Sequence, residues 1–100
     1  MEDKRHNYEL VIIISPDTSE ESIKTSVDKM NKFITEKGGT APEVQKWGRR
    51  KLAYPIKHFR EGNYIMSRFE LQPKFTRELE GNLRISEEII RHLLIKVGSE

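Results

Sequence analysis

Between Tyr8 and Ile14 apolar residues fill both sides of a two-residue alternation, Leu10, Ile12 and Ile14 on one side and Val11 and Ile13 on the other. A strand apolar on both faces belongs in the middle of a sheet. It ends at Ser15-Pro16-Asp17, a turn signal. The rhythm then changes to helical spacing, with Ile23, Val27, Met30 and Ile34 recurring until Gly38-Gly39 stops them. Thr18 with Glu21 reads as a capping box at the start of that helix. Glu20 and Glu21 suit a first helical turn, where the dipole favours acids, better than an acid–base pair.

A second extended stretch runs from Thr40 to about Lys57 and contains Pro42 and Pro55. Proline cannot donate to a sheet ladder, so this predicts an edge strand, with a bulge near Gly48. Arg60-Glu61-Gly62-Asn63 reads as the turn into a third strand, Tyr64–Leu71. Ile65, Ser67, Phe69 and Leu71 form one face of that strand, and Tyr64, Met66, Arg68 and Glu70 the other. Pro73 opens a shorter helix with Phe75, Leu79 and Leu83 as its apolar stripe, weakened near its end by Gly81-Asn82. Glu87-Glu88 reads as a solvated turn before a last strand, Ile89–Val97, apolar on both faces.

The order β-α-β-β-α-β predicts an α+β domain of the ferredoxin-like kind, a four-stranded antiparallel sheet with two helices on one face. One hundred residues make a single domain, residues 1–100, with no repeat or low-complexity segment. The helix-free face then carries Val11, Ile13, Tyr64 and Met66. Apolar area of that kind on a soluble domain predicts a protein interface. Trp47 and Leu52 on the edge strand join these four as interface candidates, since an edge also offers backbone hydrogen bonds to a partner.

Charge sharpens the picture. The chain carries +2 overall, but Val44–Arg60 holds Lys46, Arg49, Arg50, Lys51, Lys57 and Arg60 and no acid, a local +6 against −4 elsewhere. A basic strand on an otherwise acidic domain points to an anionic partner. A solvated strand serving only solubility is the competing reading. Phosphate contact by these six cations makes them RNA-binding candidates. A stacking platform of the RNA-recognition type is not matched by Gly62-Asn63-Tyr64-Ile65-Met66-Ser67. Trp47 and Tyr54 could each stack on a base or pack on strand neighbours.

Catalytic patterns are thin. His6, His58 and His92 lack metal-ligand spacing. No glycine-rich phosphate loop follows the first strand, and the serines lack a base partner. There is no cysteine, hence no disulfide or thiolate chemistry. The longest apolar run, Leu10–Ile14, is far short of a membrane span, and Met1–His6 lacks the apolar region of a signal peptide. A cytoplasmic protein that is not an enzyme, with no cofactor or metal and no membrane, is the expectation.

The run WGRRKLAYPIKHFREGNY, with Tyr8-Glu9 opening the first strand and LRISEEIIRHLLIK closing the chain, resembles the bacterial small-subunit ribosomal protein six family. Gly48–Ile56 is the most specific stretch, and the likeness runs from Tyr8 to Lys96 in the same element order. The resemblance implies a ferredoxin-like fold, a place on the platform of the small subunit, and no catalytic role. It further implies binding to the central domain of 16S ribosomal RNA as a heterodimer with ribosomal protein eighteen. Carried over residue by residue, Arg49, Arg50, Tyr54 and Lys57 fall in the core motif, with Tyr8, Arg84 and Arg91 as further RNA candidates. Ser86 and Ile90 stand where arginine occurs among relatives, and the sequence stops at Glu100, short of the acid-rich tails some relatives carry. The free protein is expected to be a monomer. The alternative is a ferredoxin-like regulatory domain that binds a small molecule and dimerises through its open face, though such a homodimer has no need of a local +6.

Overall fold

The computed structural model describes residues 4–97. The elements follow the order β1 His6–Ile14, α1 Glu20–Glu36, β2 Glu43–Ile56, β3 Phe59–Leu71, a short 3₁₀ turn Pro73–Phe75, α2 Thr76–Ile85 and β4 Ile89–Val97. All pairings are antiparallel, in the order β2-β3-β1-β4, so β1 is central and β2 an edge strand, as its residues predict.

The core lies between the sheet and the two helices. Leu10, Ile12 and Ile14 of β1 meet Ile65, Phe69 and Leu71 of β3, under Ile23, Val27, Met30 and Ile34 of α1 and Leu79 and Leu83 of α2. The helical stripes are therefore those the spacing predicts. Ser67 shares this face, and its hydroxyl is buried without a hydrogen-bond partner among the described residues.

The cap of α1 is one residue later than the sequence suggests. Ser19, not Thr18, accepts a hydrogen bond from the Ser22 N–H at 3.1 Å. A serine three residues upstream of a free helical N–H serves as well as the threonine–glutamate box. The far end closes as a Schellman motif: Gly39 N–H donates to the Ile34 carbonyl (2.8 Å) and Gly38 N–H to that of Thr35 (3.1 Å). Gly38, at φ 85°, supplies the left-handed residue this motif uses.

The β2–β3 turn is also displaced from the expected place. Arg60–Asn63 is strand, and the chain reverses at Lys57-His58, between the paired Ile56 and Phe59. Both turn residues have positive φ, 49° and 75°, as a two-residue hairpin turn of the primed type requires. Gly62 is needed for packing instead. A Cβ there would run into Ile13 Cγ2 on the neighbouring strand.

Glu88 is not a solvated turn residue. Its carboxylate accepts a hydrogen bond from the Ser26 hydroxyl, tying the entrance of β4 to α1. That bond, with Glu88's own backbone N–H and the nearby charge of Lys29, holds its pKa below the ordinary carboxylate value against partial burial. A depressed folded-state pKa gives stability that is present above the unfolded pKa and is lost as pH falls through the folded one. Ser26→Ala should move the Glu88 midpoint upward in a carbon-detected NMR titration. An unmoved midpoint would show that the hydroxyl is not the cause.

Candidate nucleic-acid interface

Strand alternation decides which basic side chains share a surface. At β2 the ladder runs Lys46 opposite Ile65 and Gly48 opposite Tyr64, leaving Trp47 as the extra residue of a bulge. Gly48 takes φ 85°, the left-handed geometry that such a bulge accommodates. Beyond it Arg49 pairs with Asn63, Arg50 with Gly62 and Lys51 with Glu61. The bulge thus resets the alternation. Arg50 follows Trp47 onto the helix-free face, while Lys46, Arg49 and Lys51 point toward the helix side of the edge.

On the helix-free face Trp47 lies nearly parallel to Tyr64, with centroids 6.5 Å apart and an interplanar angle of 15°. Its indole N–H donates to the Gln45 side-chain oxygen at 3.3 Å. The Arg50 guanidinium sits 5.4 Å from the Trp47 ring centre, within cation–π range. Trp47 therefore packs on strand neighbours and keeps part of its ring exposed, 39%. Arg91, opposite Ile13 on β4, donates to the Tyr54 hydroxyl at 2.8 Å. The sheet thus carries two arginine–aromatic groups, Arg50–Trp47–Tyr64 and Arg91–Tyr54.

The remaining cations differ in freedom. Arg49 donates to the Pro16 carbonyl at 2.8 Å and lies 3.8 Å from a Glu61 oxygen. Lys46, Arg50, Lys51, Lys57 and Arg60 are exposed and make no ion pair among the described residues. At the opposite end of the open face charges are neutralised locally, as in the 2.8 Å pair of Arg68 with Glu9. The positive field is concentrated at the Trp47–Arg60 end.

Three expected site residues lie elsewhere. Tyr8 is a core residue, its ring 6.1 Å from that of Phe69, and burial pushes its phenol pKa up. It pairs with Phe69 on the helix-covered face, so it is not available to stack on RNA. Arg84 belongs to the last turn of α2, in the helical layer, and does not share the Arg91 surface. Leu52 is half-buried in the β2–β3 hairpin.

The apolar face also differs from the sequence reading. Ile13 and Met66 are buried within the single chain, and Val11 and Tyr64 are half-buried. Trp47 lies over Tyr64. Besides the aromatic rings at the β2 end, the exposed apolar residues on this face are the aliphatic Leu93 (48%), Ile95 (44%) and Val97 (39%) on β4. They pair with Val11, Glu9 and Asn7, which puts them on the helix-free side of the second edge strand. The signal for them was present, since β4 is apolar on both faces and an edge strand covers only one.

Among the described residues no three His, Asp or Glu side chains gather as metal ligands. No helix among them is long and apolar enough to cross a membrane.

Residues 7–96 match the family described as Ribosomal protein S6. The chain is 40% identical over 94 residues to the small ribosomal subunit protein bS6 of Dehalococcoides mccartyi, covering 94% of this chain and 86% of that one. It is 37% identical over 94 residues to the bS6 protein of Moorella thermoacetica, covering 94% and 96%. The crystal structure of 30S ribosomal protein S6 from Thermotoga maritima superposes with a TM-score of 0.87 at 36% identity, covering 94% of this chain and 89% of that one.

Proposed function

Since the chain belongs to the ribosomal protein S6 family of the small ribosomal subunit, we propose that it binds the central domain of 16S ribosomal RNA together with ribosomal protein eighteen. It acts as a structural component of the cytoplasmic ribosome, and the family is one of ribosomal structural proteins rather than of enzymes. The observation that carries the RNA reading is the set of five exposed cations on β2 and the hairpin without ion-pair partners among the described residues. Cations left uncompensated in this way release counterions when phosphates replace them, so affinity depends steeply on salt.

The protein partner takes the other edge. Leu93, Ile95 and Val97 stand beside the free backbone of β4, which suits strand addition or face packing. A cationic ribosomal partner is kept off the basic end by like charge and meets the neutral end of the sheet. The free protein is a monomer, which gel filtration checks; a tight symmetric dimer would favour the regulatory-domain alternative.

The test is RNA binding across a salt series, with and without the partner. Arg50→Ala removes one free cation and should lower the log–log salt slope by up to about one unit. Adding Arg49→Ala should reduce the slope little further, because Arg49 is already held by Pro16 and Glu61. An unchanged slope in the Arg50 variant rules out phosphate contact there. Failure of the wild-type protein and partner to bind this RNA at all rules out the reading itself.

A further inference from the structure

The β2–β3 hairpin outruns the sheet. Pairing of β1 with β3 ends at Ile14 opposite Asn63, whereas β2 and β3 continue together to the Lys57-His58 turn. The segment Lys51–Glu61 is therefore a two-stranded arm, and the molecule measures 45 Å along one axis against 26 and 22 Å along the others. Its register slips between Lys51 and Ile56, around Pro55. A lone two-stranded ribbon is marginal by itself and is free to hinge at its root.

Two arginines hold this one. From β4, two strands beyond β3, Arg91 reaches the Tyr54 hydroxyl at 2.8 Å. At the root Arg49 reaches back to the Pro16 carbonyl just past β1, also at 2.8 Å. One brace contacts the arm itself and the other its base. Lys51, Lys57 and Arg60 on the arm remain free of ion pairs among the described residues.

We propose that the Lys51–Glu61 arm is a pre-set RNA-docking element, and that Arg91 and Arg49 are positioning residues that aim it rather than phosphate contacts. This inference rests on the RNA reading above. Fixing the arm before binding removes an ordering cost that a hinged ribbon would meet on the RNA. The target is a phosphate-lined surface recognised by shape, since a positively charged ribbon offers no base-reading set and double-stranded RNA is recognised largely by shape.

Tyr54→Phe separates aiming from charge, because it deletes the brace acceptor and leaves every cation in place. With a central-domain RNA fragment and the partner protein, its affinity should fall roughly 2–10-fold, the worth of a single hydrogen bond, with the salt slope unchanged. Lys57→Ala should instead flatten the slope by up to about one unit. Arg91→Ala should weaken binding without flattening the slope, and combining it with Tyr54→Phe should add no further loss. In the free protein, NMR order parameters of the arm amides should drop in Tyr54→Phe while the unfolding midpoint holds. Wild-type affinity together with unchanged arm order in Tyr54→Phe overturns the brace. A flattened slope in Arg91→Ala overturns its role as a positioning residue and makes it a phosphate contact. Loss of all binding by the wild-type pair overturns the RNA reading and the docking role with it, whereas the arm-order measurement still reports on the brace.

Discussion

Leu79→Ala should destabilise the domain by roughly 2–5 kcal/mol in a urea titration. Leu79 is 1% exposed and sits in the cluster that joins α2 to α1 and the sheet. Truncation removes apolar contact and leaves a hole that the neighbours fill only in part. The fellow members of Leu79 in that cluster include Met30 and Ile34 of α1 and the inner face of the sheet. Small single domains unfold in one cooperative transition, so the loss should appear as a lower midpoint with an unchanged denaturant slope. A change below ~0.5 kcal/mol, the range of surface substitutions, would mean that α2 does not pack as described.

Gly39→Ala should be the second severe change, and the reason is space rather than backbone freedom. A Cβ at this position would lie 2.5 Å from the Glu70 carbonyl oxygen, 2.9 Å from that of Ile34 and 2.7 Å from Ile34 Cγ2. Two of the three are backbone atoms that cannot swing aside. The Glu70 oxygen also accepts the Thr40 N–H at 3.1 Å, so moving it breaks the join between the α1 exit and β3. Overpacking of this kind costs about 1–3 kcal/mol, and the lost hydrogen bond adds to it. Gly38→Ala is the control. It meets open space, and its φ of 85° imposes only the left-handed strain of about 1–2 kcal/mol. If Gly38→Ala proves the more damaging of the two, the tight approach at Gly39 is not what fixes this corner.

What the sequence made legible was set by periodicity. The helical stripes, the central β1, the edge position of β2 and the bulge at Gly48 all follow from spacing and from proline and glycine chemistry. Residue types with more than one structural use are legible only in the fold. Lys57-His58 forms the hairpin turn without the asparagine or glycine that usually marks one. Gly62-Asn63 looked like that turn because glycine has two uses, and here it makes room for Ile13. The family resemblance implies RNA contact for Tyr8, whereas its pairing with Phe69 puts it on the covered face. Composition located the basic strand but not its internal contacts. Nothing local in the sequence shows Arg49 reaching Pro16 or Arg91 reaching Tyr54, because partners separated by 33 and 37 residues meet only in the folded sheet.

The strand order has a consequence for how the chain reaches its fold. β1 is synthesised first but lies between β3 and β4, with Ile12 opposite both Ile65 and His92. Neither neighbour exists until most of the chain has been made, and the second is complete only at Val97. Long sequence separation between paired strands slows folding, because loop closure must precede any gain from contact. On a translating ribosome the most apolar strand of this protein therefore emerges early and waits unpaired for its neighbours. β3, complete at Leu71, can pair with it before β4 follows, and until the sheet closes Leu10–Ile14 is the segment a chaperone has most reason to hold.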